Sequence, residues 1–122
     1  MPATILVVED TLSNRELLSF LLRYHGYEVL EAENGESGVS MARANKPDLI
    51  AMDMQMPVMD GMTAMRKLKK DPETSGIKII AVTSFAMKGD REKALEAGFD
   101  GYITKPIDTR AFPDQIRSFL PA

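Results

Sequence analysis

The sequence predicts an α/β domain in which five parallel strands alternate with five helices. Three observations carry that expectation. Ile5-Leu6-Val7-Val8, Leu49-Ile50-Ala51-Met52 and Ile79-Ile80-Ala81-Val82 are unbroken apolar runs, as strands buried on both faces require. The stretches between and after them carry apolar residues at helical spacing. The length, 122 residues, suits one such domain and is too short for two.

Taken in order, the run at 5–8 is the first strand. Leu17, Leu18, Leu21 and Leu22 then share one face of a helix that Gly26 can end from the left-handed region. Glu28-Val29-Leu30-Glu31-Ala32 mixes charged and apolar residues, as an edge strand does. Val39 and Ala42 mark a second helix, which stops before Pro47. Beyond the strand at 49–52, Asp60 is placed to cap a third helix carrying Met62, Met65 and Leu68 and stopping near Pro72. Beyond the strand at 79–82, Asp90 is placed to cap a fourth, with Ala94, Leu95 and the closing Gly98. Gly101-Tyr102-Ile103-Thr104 reads as a short fifth strand, and Phe112, Ile116, Phe119 and Leu120 stripe a fifth helix running to the chain end. No repeat, linker or low-complexity segment interrupts the series. Right-handed crossovers then put helices on both faces of the sheet, and five strands fit the doubly wound, flavodoxin-like order 2-1-3-4-5. A ligand in that order sits outside the carboxyl ends of strands 1 and 3, where the winding reverses.

Composition excludes several kinds of chemistry. Fifteen basic against 18 acidic side chains give a net charge of −3 and an isoelectric point near 5.2. So weak an acidic balance is a poor basis for binding nucleic acid or anionic membranes. Without cysteine there is no disulfide, cysteine-zinc site or thiol catalysis. Apolar runs of about four or five residues cannot cross a bilayer, and Met1-Pro2-Ala3-Thr4 lacks the basic and apolar regions of a signal peptide. The expectation is a soluble, cytoplasmic protein without membrane insertion.

The strand ends carry the chemistry. Strand 1 ends in Glu9-Asp10, strand 3 in Asp53, strand 4 in Thr83 and strand 5 in Lys105. Neighbouring strands lie about 4.8 Å apart, so three carboxylates from strands 1 and 3 converge. Two carboxylates ~5 Å apart repel by roughly 3 kcal/mol at an effective dielectric near 20, and three such pairs approach ~10 kcal/mol before screening. A cation or a bound proton must offset that. An all-oxygen donor set without His or Cys suits a hard ion, Mg²⁺ above all, with Mn²⁺ as a substitute. Lys105 adds a fixed positive charge, and Thr83 a hydroxyl that donates and accepts. Such a group around one aspartate is a site for phosphoryl oxygens, with Asp53 as nucleophile and an aspartyl phosphate as product.

Val7-Val8-Glu9-Asp10, the run Asp53-Met54-Gln55-Met56-Pro57-Val58-Met59-Asp60-Gly61, Val82-Thr83-Ser84 and Tyr102-Ile103-Thr104-Lys105-Pro106 together resemble the receiver domain of two-component response regulators. The match extends over nearly the whole chain. It implies that Asp53 accepts phosphoryl from a sensor histidine kinase or a histidine phosphotransfer protein. It further implies that Glu9, Asp10, Asp53 and the backbone carbonyl of Gln55 hold Mg²⁺, that Lys105 contacts the phosphoryl group, and that the Lys105-Pro106 bond is cis. Glu9 stands where the family more often has Asp. Thr83 and Tyr102 are the implied switch: Thr83 moves toward the new phosphoryl oxygens, and Tyr102 turns inward to fill the vacated space. That remodels the face of helix 4, strand 5 and helix 5. Asn14-Arg15 and the segment Phe85-Ala86-Met87-Lys88-Gly89-Asp90 resemble receivers of hybrid kinases and phosphorelays, and the second also single-domain cell-cycle receivers. Such receivers dock on a helical phosphotransfer domain through helix 1 and neighbouring loops; the candidates are the partly exposed residues among Leu17, Leu18 and Leu21, most of a leucine stripe being core. Phe85 and Gln55 are candidate modulators of phosphoryl lifetime, bulky Phe85 limiting access of water.

Other readings fit less well. Met52, Met54, Met56, Met59, Met62 and Met65 are dense enough for a copper(I) site, but strand, loop and helix scatter them over different faces. Glu9-Asp10-Thr11 would repel a flavin phosphate, and Glu9-Asp10-Thr11-Leu12 lacks the D-x-D of haloacid dehalogenase phosphatases. No phosphate-binding glycine loop is present. His25, before Gly26, reads as a partner of a helix C-terminus and not as a phosphodonor. The expected protein is a receiver over residues 1–122 with no output domain, a monomer or weak homodimer. It is a switch and not an enzyme, acting on a downstream protein target or passing the phosphoryl group onward.

Overall fold

A computed structural model describes residues 2–84 and 87–121. Its elements follow the predicted alternation: β1 (Thr4–Val8), α1 (Leu12–Tyr24), β2 (Glu28–Ala32), α2 (Gly35–Asn45), β3 (Leu49–Met52), α3 (Gly61–Lys70), β4 (Lys78–Thr83), α4 (Asp90–Ala97), β5 (Gly101–Thr104) and α5 (Phe112–Phe119). All strand pairs are parallel and the order is β2-β1-β3-β4-β5. The doubly wound sheet is therefore the predicted one.

Two-residue periodicity divides the core. Leu6, Val8, Ile50, Met52, Ile79 and Ala81 face one layer with Val39 and Ala42 of α2, Met65 and Leu68 of α3, and Ala94 of α4. Ile5, Val7, Leu49, Ala51, Ile80 and Val82 face the other, against Leu18 and Leu22 of α1 and Phe112 and Ile116 of α5. Each fully buried Leu, Ile or Phe contributes about 1.5–3 kcal/mol of apolar transfer. These two layers hold the strand ends rigidly in place.

Helix ends show local chemistry that periodicity does not reveal. Asp60 caps α3 as predicted, its Oδ1 accepting the Thr63 N–H at 2.8 Å. Asn34 caps α2 through a reciprocal pair with Ser37, in which Asn34 Oδ1 accepts the Ser37 N–H at 2.8 Å. Asp90 does not cap α4. The cap is Gly89, at φ 94°, and Asp90 is the first helical residue, its carboxylate turning back to accept the Met87 N–H at 2.9 Å. Only glycine takes that φ without strain, so the boundary falls one residue early. Gly26 ends α1 at φ 91°, and His25 Nδ1 lies 2.9 Å from the Leu21 carbonyl oxygen, as a C-terminal partner should. Helix α5 stops at Phe119, short of the predicted run. Leu120 is extended because Pro121 follows it and disfavours helical backbone. At the amino-terminal end of the sheet, Pro2, Thr4, Tyr27, Asp48, Arg117 and Leu120 line a crevice where both ends of the fold meet.

Candidate functional site

The site is built where four strands end. The β1–β2 ladder continues one residue beyond β1, with the Glu9 N–H donating to the Ala32 carbonyl at 3.0 Å. Asp53 leaves β3 the same way, its N–H on the Val8 carbonyl at 3.0 Å. Both side chains thus leave adjacent strands at one height, Glu9 at 1% exposure and Asp53 at 7%. One carboxylate oxygen from each of Glu9, exposed Asp10 and Asp53 lies within 4.8 Å of the others. Lys105 follows β5, its N–H donating to the Thr83 carbonyl at 2.8 Å. Its Nζ reaches past the end of β4 to Asp53 Oδ2 at 3.1 Å, and past β3 as well to Glu9 Oε2 at 2.8 Å. The Lys105-Pro106 bond is cis.

Electrostatics follow from this crowding. Burial pushes the Glu9 carboxyl up from its ordinary value; the Lys105 hydrogen bond pulls it back, the Asp53 charge adds to the rise, and the net shift is upward. Burial acts downward on the Lys105 ammonium, but the hydrogen bond to Glu9 and the charges of Asp53 and Glu9 outweigh it and the net shift is again upward. One lysine is thus held charged by more acid than it neutralises. The remaining oxygens are tied to backbone: Glu9 Oε1 accepts the Thr11 N–H at 3.3 Å and Asp53 Oδ1 the Gln55 N–H at 3.2 Å. Three carboxylates with no nitrogen or sulfur donor fit a hard divalent cation.

The loop after Asp53 is closely packed. A Cβ on Gly61 would collide with the Asp53 carbonyl oxygen, and one on Gly35 with the Met59 carbonyl oxygen. Between them the Met59 N–H donates to the Pro57 carbonyl at 2.7 Å, closing a three-residue turn. Val58 at its centre has φ 70° and is 75% exposed. A β-branched residue is rare there and strained.

Glu9, Asp10, Asp53 and Lys105 are therefore brought together as predicted. Thr83 is buried at the end of β4, in register with Thr104 of β5. Tyr102 is buried: it packs in the α2–α3–α4 core layer and lines a crevice with Met87, Arg91, Pro106 and Gln115. Burial, then the Asp90 charge, raises its phenol above the ordinary value. Gln55 is exposed and meets Asp53 through its backbone N–H. Phe85 lies outside the described residues. Of the candidate leucines, Leu17 is exposed and Leu21 half-buried while Leu18 belongs to the core, and Leu12, Phe20 and Tyr24, which the leucine stripe did not point to, stand in solvent. Arg15 is placed against the Glu9 backbone, a contact no spacing rule announces.

The model of the response regulator receiver domain matches residues 5–117. The chain belongs to this family. Its relatives include the polar-differentiation response regulator DivK of Brucella anthropi, 42% identical over 120 residues and 98% of each chain, and DivK of Brucella ovis, 40% identical over the same span. Among solved structures, the receiver domain of a sensor histidine kinase from Pseudomonas aeruginosa PAO1, with a magnesium ion in its active site cleft, superposes with a TM-score of 0.89 at 33% identity and 98% coverage of both chains. A putative response regulator from Chloroflexus aurantiacus superposes at 0.92 with 28% identity, again over 98% of each chain. The receiver is thus a response regulator of two-component signalling, a switch and not a conventional enzyme. No helix among its described residues is long and apolar enough to cross a membrane.

Proposed function

We propose that this receiver accepts a phosphoryl group on Asp53 from a phosphohistidine of a sensor kinase or phosphotransfer protein, in a reaction that requires Mg²⁺. The observation that carries this reading is the cluster of three carboxylates within 4.8 Å, two of them bridged by Lys105. Glu9, Asp10, Asp53 and the Gln55 carbonyl would hold the ion, and Mn²⁺ would substitute for it. When bound, the ion supplies Lewis-acid neutralisation of phosphoryl oxygens. An Asp53 oxygen attacks phosphorus, the new P–O bond forming as the P–N bond breaks, and the imidazole nitrogen keeps the electron pair. Lys105 neutralises charge on the transferring group, and the Gln55 N–H keeps the carboxylate oriented. Thr83 then turns its hydroxyl to the phosphoryl oxygens and, with Tyr102, biases the α4–β5–α5 face between two packings.

The partner docks through α1, whose exposed Leu12, Leu17, Phe20 and Tyr24 continue into an apolar crevice formed by Leu17, Leu18, Pro106 and Ile107 beside Lys105. The protein acts in the cytoplasm through this receiver domain, monomeric or weakly dimeric, without nucleic acid or membrane. It signals to a protein target or passes the phosphoryl group on. Phe85 and Gln55 tune the lifetime of the aspartyl phosphate, bulky Phe85 lengthening it by limiting access of water, and a short half-life unaffected by changing either residue counts against that role. The deciding experiment labels wild type and Asp53→Asn with acetyl phosphate, with Mg²⁺ and with EDTA. Label is expected only on wild type with Mg²⁺; label on the variant, or equal label in EDTA, overturns the reading.

A further inference from the structure

Arg15 stands next to the acidic cluster without belonging to it. Its Nη1 donates to the Glu9 carbonyl oxygen at 2.8 Å, and its Nε lies 3.3 Å from Glu31 Oε1. The second Glu31 oxygen is 3.2 Å from Arg23 Nη2. Arg15 is well covered, its side chain 14% exposed, although it carries a full charge. Glu31 explains why a largely covered cation is tolerated there, since the carboxylate neutralises it and accepts a charge-assisted bond.

The position of that carbonyl gives the contact its consequence. Glu9 is the last residue paired to β2, and Asp10 follows it into the turn. Strand pairing satisfies the Glu9 N–H, whereas its C=O takes no backbone N–H among the described residues and needs another partner. Arg15 is that partner. The peptide joining Glu9 to Asp10 is thereby fixed, and with it the direction in which both acidic side chains leave the backbone. Glu9 has Lys105 and the Thr11 N–H to orient it as well. Exposed Asp10 depends on its backbone.

We infer that Arg15, braced by Glu31, is a positioning residue that sets the Glu9–Asp10 peptide for divalent-cation binding. This rests on the reading of the cluster as a Mg²⁺ site. Arg15 touches neither the ion nor the phosphoryl group; it acts through the backbone that carries two of the ligands. Coulomb attraction and positioning predict opposite signs, which makes the inference testable. Removing a cation near the cluster should tighten binding of a dication if charge alone matters. Losing the clamp on the peptide should weaken it, because groups that orient metal ligands are typically worth 10–100-fold in affinity.

The experiment follows Mg²⁺ binding through amide chemical shifts on isotope-labelled wild type, Arg15→Gln and Arg15→Lys, with thermal melts on each protein. Arg15→Gln is expected to weaken Mg²⁺ binding about tenfold. Arg15→Lys, which keeps the charge but cannot bridge Glu9 and Glu31 as a fork, should fall between the two. In excess Mg²⁺, labelling of Arg15→Gln by acetyl phosphate should return to within about twofold of wild type, because the loss lies in the metal step. Unchanged or tighter Mg²⁺ binding in folded Arg15→Gln overturns the inference. If that variant does not fold, Arg15→Lys decides alone, and wild-type affinity there overturns it equally. Failure of the underlying reading looks different: wild type itself then shows no saturable Mg²⁺ response.

Discussion

Asp10→Asn is expected to stabilise the metal-free protein while abolishing its response to Mg²⁺. The substitution keeps the shape of the side chain and removes one charge from the exposed member of the cluster. Asp10 has an oxygen within 4.8 Å of both Glu9 and Asp53. Each such pair costs about 3.5 kcal/mol at an effective dielectric near 20 and about 0.9 kcal/mol in bulk water. Because Asp10 is exposed, the lower figure is the better guide. Two pairs then give a gain of about 2 kcal/mol, or about 4 °C of melting temperature per kcal/mol for a domain of this size. Mg²⁺ reverses the order: at a hundred times its dissociation constant it stabilises the protein that binds it by about 2.7 kcal/mol. Urea unfolding followed by circular dichroism, in EDTA and in Mg²⁺, reads both effects. An Asp10→Asn protein less stable than wild type in EDTA, or one that gains as much from Mg²⁺ as wild type does, refutes the account of the cluster as excess negative charge awaiting a cation.

Lys105→Met leaves buried Glu9 and Asp53 without their bridging cation and should cost about 3–5 kcal/mol at neutral pH in EDTA; denaturant midpoints of the two proteins test this. The raised Glu9 carboxyl has a pH signature. Its folded value lies above the unfolded one, so metal-free stability falls as pH rises from about 4.5 through the folded value, and Mg²⁺ affinity rises over the same window as the proton leaves. Isotherms at several pH values should show that slope, and Glu9→Gln should lose it. Val58→Asn, which tolerates positive φ, should stabilise the loop by about 1 kcal/mol, seen as a higher melting temperature. Ser19→Ala removes a buried hydroxyl that has no hydrogen-bond partner among the described residues. It should be neutral or stabilising by up to about 1 kcal/mol in the same melts.

Strand order and core were legible because apolar runs and helical stripes are long-range patterns set by burial. The runs at 5–8, 49–52 and 79–82 are central strands, and mixed 28–32 is the edge. Glu9, Asp10, Asp53 and Lys105 were legible for a related reason: parallel strands of known order end side by side, so residue type at each end specifies the cluster. Failures fell where one backbone angle or one side-chain rotamer decides. Gly89 took the cap expected of Asp90 because its φ is positive. Exposed Phe20 and Tyr24 went unread, since a helix carrying a leucine stripe still has another face, and nothing in spacing says that this one carries two aromatic rings. Arg15 was legible as part of the Asn14-Arg15 pair but not as a contact of Glu9, because its reach to a carbonyl depends on four rotatable bonds.

The crevice at the amino-terminal end of the sheet has a consequence for how this unit can be joined to others. The start of β1 and the end of α5 lie together there, separated from the carboxylates by the length of β1, five residues or about 17 Å. Polypeptide added at either end, or at both, departs from the side away from Asp53. The unit can therefore be tethered, threaded into a longer chain or fused to a fluorescent reporter while its reactive rim stays open to a visiting protein. Attachment and chemistry occupy opposite poles of one small sheet.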